Sequence, residues 1–260
     1  MASFSKGLRV QLKVVKALMI RELVTRFGRD NIGFLWIMAE PLLFAGLVGV
    51  VWSYVRGPEY HGISMIAFVA TGYIPLTFMR SSFGRSAKIF QTNSALLYHR
   101  QVKILDFIFV RVSIEAVGAM MAYIFAGIVL IFLGHFPFPN DVGALVAGWA
   151  IYVFFVFAVA SMLAPLSEMS ETVEKLVPIS VYLAIPFSGV FNMASWLPAP
   201  MRDALMWSPL VSGMELMRYG LFGDLVTPYY DLTRAVGVTL AFLFFGLILC
   251  RRVRRTLTIA

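Results

Sequence analysis

RELVTRFGRDNIGFLWIMAEPLL, residues 21–43, decides how the chain must be read. Charged residues crowd its first ten positions, an apolar run follows, and Glu40–Pro41 falls inside that run. The uncharged stretch beyond Glu40, residues 41–55, has 15 residues, and a bilayer needs about 20 as helix. Glu40 therefore belongs inside a spanning helix, about 10 Å from Gly33 at ~1.5 Å per residue. An ionised carboxylate facing lipid at that depth is costly. It is expected to face a protein interior or a water-filled cleft, or else to snorkel to water or cap a neighbouring helix. Pro41 frees the carbonyl of Ile37 and is expected to kink the helix.

The rest of the chain fits a membrane solvent. Hydrophobic residues make up 60% of the 260 and charged residues 14%, with a mean hydropathy of +0.81, whereas a soluble domain is typically ~25% charged. The one cysteine, Cys250, excludes an internal disulfide and a cysteine-cluster metal site. Lys6, Arg9, Lys13, Lys16 and Arg21 interrupt any early apolar run, so no cleavable signal peptide is expected.

Residues 8–27 carry a charge every few positions and read as an amphipathic interface helix. Leu8, Leu12, Val15 and Met19 form its apolar stripe, with Lys6, Arg9, Lys13 and Lys16 in a separate sector. Six spans are expected at about 33–55, 63–83, 104–134, 142–166, 176–195 and 232–250. A polar loop, GRSAKIFQTNSALLYHRQVK (84–103), follows the second, and Pro137 and Pro139 set the turn at 135–141. SEMSETVEK (167–175) reads as a short loop, and RRVRR (251–255) as a stop signal opening the tail 251–260. Segment 196–231, broken by Pro198, Pro200 and Pro209, reads as two short amphipathic helices, either re-entrant or lying flat on the surface. On this map 17 Lys and Arg fall on one side, and Arg56, Arg202, Arg218 and Arg234 on the other. The positive-inside bias then puts both termini in the cytoplasm and accounts for the net charge of +8 without nucleic acid.

No GxxxxGK[ST], HExxH or GxSxG occurs, and the three histidines lie far apart. No catalytic residue, metal site or resident cofactor is expected. No acid lies well inside spans two, four, five or six, so ion coupling lacks its groups and any energy source is expected from a partner. Arg111 and Glu115 are spaced to pair on one helix face, and a structural pair and a seat for an anionic headgroup both remain open. Trp36, Glu40, Phe44, Trp52, Tyr182, Phe187 and Phe191 are candidates for a sugar-stacking path, with lipid-facing packing as the alternative for the aromatics. Ala45-x-x-x-Gly49 and Ala144-x-x-x-Gly148 would permit close helix approach.

With TGYIPLTFMRSSFGRSAKIFQTNSALLYHRQVKILDFIFVRVSIE and WSPLVSGMELMRYG, the opening stretch resembles the membrane subunits of type-two ABC exporters of polysaccharides, the capsular permeases of Gram-negative bacteria above all. The resemblance runs in order along nearly the whole chain. It implies an all-α integral membrane fold: an interface helix (1–32), a six-helix domain (33–250) with coupling loop 84–103, and re-entrant helices within 196–231. It also implies a homodimer in the bacterial inner membrane, bound to two copies of a separate ATPase that holds ATP-Mg, and envelope partners beyond it. Loop residues Arg85, Lys88, Asn93 and Tyr98 would couple to that ATPase. Arg21, Arg26, Arg100, Lys103 and Arg111 would meet an anionic headgroup or glycan where a lipid-linked polysaccharide enters. Glu22, Val102 and Glu115 also match the family pattern. Alternatives are export of O-antigen or teichoic acid, a membrane-embedded sugar or lipid transferase, and a structural scaffold.

Overall fold

The computed structural model describes residues 2–27, 33–97 and 101–257, with side chains over 5–25, 39–96 and 101–254. Tyr98 and Arg100 lie outside the described residues, as do the side chains of Arg26 and Trp36.

Helix α1 (Ala2–Phe27) precedes α2 (Gly33–Arg56), which runs unbroken through Pro41. A two-residue hairpin, β1 (Glu59–Tyr60) with β2 (Ile63–Ser64), turns the chain antiparallel into α3 (Met65–Ser86). Two single-turn helices, α4 (Ile89–Thr92) and α5 (Ser94–Leu97), fill the polar loop before α6 (Ile104–Phe132). Then come α7 (Val142–Met169), α8 (Glu171–Ala184), α9 (Ala199–Leu205), α10 (Pro209–Phe222) and α11 (Leu232–Leu257). The architecture is all-α. Three described segments are long and apolar enough to cross a membrane: Ile104–Phe132, Val142–Met169 and Leu232–Arg254.

Local chemistry sets these boundaries. The Asp106 carboxylate accepts the Lys103 amide at 2.8 Å, and the Asp141 carboxylate accepts that of Ala144 at 2.9 Å. Each satisfies an amide that a helix start leaves without a partner. Gly134 (φ 75°) turns the chain after α6.

Several boundaries differ from the sequence reading. The loop expected at 167–175 is a break of one residue, extended Ser170, between α7 and α8. The fifth apolar stretch is helical from Glu171 and stops at Ala184, because Pro186 and left-handed Gly189 (φ 79°) divert the chain before residue 195. The last helix continues through the basic run to Leu257. Along α1 the packed face is Gln11, Val14, Val15, Leu18, Met19 and Glu22, rotated so that Val15 and Met19 of the expected stripe pack while its first two leucines do not. Leu8 and Leu12 lie exposed on its flank, and the basic residues Lys6, Arg9, Lys13 and Lys16 are exposed. The rotation follows from polar partners on α6: Gln11 donates to the Asp106 carboxylate and Glu22 meets Arg111.

Helix α10 is buried at every position but Tyr219 and packs along α7, so it is a core element and not an amphipathic surface helix. Glycines permit the approach. A Cβ at Gly148 would fall 2.6 Å from the Gly213 carbonyl oxygen and 2.7 Å from the Met217 amide nitrogen. Gly148 of Ala144-x-x-x-Gly148 thus faces α10. At Gly49 the close neighbour is the Ile66 Cα on α3, 3.1 Å from where a Cβ would sit.

Candidate functional site

Helices α2, α3 and α8 enclose a cleft of about 450 Å³ lined by Glu40, Phe44, Tyr73, Thr77, Arg80 and Tyr182, among others. Three of the residues singled out for a path, Glu40, Phe44 and Tyr182, therefore meet in one place. The sequence reading missed Tyr73 and Arg80. Tyr73 stacks on Phe44, with ring centroids 6.0 Å apart, and the Arg80 guanidinium lies 5.4 Å from the Tyr182 ring. Both sit on the same face of α3 as Thr77, in TGYIPLTFMR, a spacing of three and four that the sequence displays openly.

Farther along α2, Trp52 stacks on Phe191 at 6.5 Å and Arg56 lies 4.2 Å from the Trp52 ring. Beyond them Tyr60, His61 and Phe68 surround Trp196 at 4.8–5.6 Å. Phe187 is exposed and makes none of these ring contacts; its carbonyl accepts the Ser208 hydroxyl at 2.7 Å. Aromatic rings thus follow α2 from the cleft towards the hairpin. Flat apolar faces beside polar groups suit sugar rings, which present both.

At the end where α1, α4 and α6 meet, charges are paired. Arg111 donates to Glu22 at 2.8 Å and to the Arg85 carbonyl at 3.1 Å. Arg85 in turn lies 3.6 Å from Glu115. Arg111 of α6 thus pairs with Glu22 of α1, and Glu115 of α6 with Arg85 of α3, both across elements. Arg21 donates to Asn93 at 2.9 Å, and the buried Asn93 amide donates to the Ile89 carbonyl at 2.8 Å. Lys88 pairs with Glu174 of α8 at 3.3 Å, and Lys103 is exposed at the start of α6. Arg21 and Arg111 therefore brace helices, and Arg111 has its fork occupied by protein groups.

A second polar centre went unread. Arg218, counted from the sequence among the external basic residues, is fully buried. It donates to the carbonyls of Gly189 at 2.8 Å and Val190 at 3.2 Å, and its guanidinium lies 4.2 Å from the Phe68 ring. Buried Glu215 accepts the Ala194 amide at 3.1 Å. These two residues anchor the irregular chain after α8, whose backbone groups have no helical partner. The signal available was a glutamate and an arginine three residues apart inside an apolar run, MELMR.

No established family model matches the chain. It is similar over nearly all its length to the capsule polysaccharide export inner-membrane protein BexB of Haemophilus influenzae: 34% identity over 249 residues, covering 96% of this chain and 94% of that one. The capsule polysaccharide export inner-membrane protein CtrC of Neisseria meningitidis serogroup B is 34% identical over 245 residues, 94% of this chain and 92% of that one. The polysialic acid transport protein KpsM of Escherichia coli is 26% identical over 245 residues, 94% of this chain and 95% of that one.

Proposed function

The chain belongs to the family of capsule polysaccharide export inner-membrane proteins, and from that premise we propose that it is the permease subunit of an ATP-driven exporter of lipid-linked capsular polysaccharide. The observation that carries this reading is identity of 34% over 96% of the chain with a capsule polysaccharide export inner-membrane protein. The absence of a phosphate-binding GxxxxGK[ST] loop in the sequence supports a separate ATPase as the energy source.

The working unit in this proposal is two copies of the chain with two copies of that ATPase. Helices α2, α3, α6, α7, α8 and α11 provide six crossings of the inner membrane, and α9 with α10 forms the re-entrant pair. Helix α8, at 14 residues, covers only about 21 Å, and the chain through Pro186–Ser188 completes its depth. The bias of basic residues supports cytoplasmic termini, and the relatives' names support the inner membrane.

Glycan enters at the cleft of Glu40, Phe44 and Tyr182 and proceeds along Trp52 and Phe191. Coupling runs through one turn of α1, where Arg21 grips the loop at Asn93 while Glu22 grips α6 at Arg111. A push on that loop by the ATPase moves α1 and α6 together.

Gentle detergent purification of the tagged chain from its host tests the reading. The expected companion is a stoichiometric protein carrying GxxxxGK[ST], and deleting the chain abolishes surface capsule while glycan accumulates inside. Recovery of the chain with no ATPase, under conditions that preserve other membrane complexes, contradicts it.

A further inference from the structure

We propose that Arg80 and Tyr182 form an oxyanion subsite in the cleft, taking a phosphate or carboxylate carried by the transported molecule. The inference rests on the permease reading and adds to it a specific recognition chemistry.

Arg85, Lys88, Arg111 and Arg234 each pair with a carboxylate, and Arg218 meets backbone carbonyls. Arg80 makes no ion pair among the described residues, although Glu40 lines the same cleft. Its one ring contact is with Tyr182 at 5.4 Å, both side chains line the cleft, and its guanidinium makes no hydrogen bond to protein among the described residues. A planar guanidinium backed by an aromatic face and free along its edge is the arrangement that receives an oxyanion through two parallel hydrogen bonds. Thr77 and Ser81 lie on the same wall. The Thr77 hydroxyl donates to the Ile74 carbonyl at 2.7 Å, which turns its lone pairs outward as acceptors for sugar hydroxyls.

Glu40 has the opposite effect. A carboxylate in the same cleft repels an oxyanion at Arg80 but accepts hydrogen bonds from neutral hydroxyls. The pair thus distinguishes a ligand with one anionic group followed by polar rings from a continuous polyanion. Two sources supply such an anion: the phosphate linking glycan to lipid, and the carboxylate of an acidic sugar.

The test measures equilibrium binding to the full-length chain in phosphatidylcholine nanodiscs. The three probes are a trisaccharide on diacylglycerol phosphate, the same trisaccharide on diacylglycerol, and a soluble hexasaccharide containing glucuronate. Arg80→Gln is expected to weaken at least one charged probe about tenfold, with Arg80→Lys intermediate because an ammonium lacks the fork. The neutral lipid probe should be unaffected. Glu40→Gln is expected to tighten the same charged probe severalfold, on the order of what one nearby charge contributes at a partly wet site. Loss on the phosphate probe assigns the lipid linkage as the source; loss on the hexasaccharide assigns the acidic sugar. The subsite is overturned if Arg80→Gln binds both charged probes like wild type, if charged and neutral probes weaken together, or if wild type binds neither charged probe. Co-purification of the ATPase and surface capsule are scored separately. If those hold while the subsite fails, the permease reading stands without it.

Discussion

The bracing cluster around Glu22 and Arg111 and the buried centre around Arg218 solve the same problem in opposite ways. At the basic end, where side chains reach water, cations meet carboxylates: Arg111 with Glu22, Arg85 with Glu115, Lys88 with Glu174. Deep in the bundle, Arg218 and Glu215 lie three residues apart on α10 but direct themselves to backbone groups, the Gly189 and Val190 carbonyls and the Ala194 amide. Charge thus joins separate helices through side chains at one end and completes irregular backbone at the other. A pair between two side chains on different helices can part and re-form; a charge that completes the backbone of a broken helix has to stay.

Substitutions rank by this contrast. Arg218→Leu should cost most, because it leaves two carbonyls without donors at the break after α8, each worth about 1–3 kcal/mol when buried. Little folded protein should be recovered, and a wild-type yield and melting temperature would break the contrast outright. Gly148→Ala comes next. Its new Cβ meets the α10 backbone at 2.6 Å, and overpacking of this kind costs roughly 1–3 kcal/mol. Thermal unfolding in detergent checks it.

Glu22→Gln and Arg111→Gln should each lower stability by about 1.5–3 kcal/mol, as hydrogen bonds to charged groups do, and reduce export more than they reduce the amount of protein. A double-mutant cycle reads the coupling. Additive single effects would deny that the two residues act together. Lys88→Ala should change melting least. That pair has one partner 68% exposed, and exposed pairs contribute about 0–1 kcal/mol. A large loss of stability there would show that the rim is as rigid as the interior.

How much of this was legible follows the same division. Apolar runs, the basic loop and the turn set by Pro137 and Pro139 ahead of α7 announced the helices because those signals are local. Glu40, Phe44 and Tyr182 were named from residue type and depth, and α8 brings them together. The partner of Arg111 was not legible, since Glu22 lies 89 positions away and only the docking of α1 brings it close. Arg218 was misassigned for a related reason. A count of basic residues by side treats every arginine as solvated, while this one is buried. The end of α8 at Ala184 depends on Pro186 and Gly189, but an apolar stretch long enough to span outweighed them in the sequence reading.

The central claim is that the chain moves glycan across the membrane with energy supplied by a partner. The most direct test co-reconstitutes the chain with its ATPase in proteoliposomes, loads lipid-linked capsular glycan on the ATPase side, and follows its appearance in the lumen. The account predicts ATP-dependent accumulation that is lost when the lysine of the partner's GxxxxGK[ST] loop is replaced. Glycan entry at the same rate with that lysine replaced, or none with an active ATPase and intact complex, would contradict it.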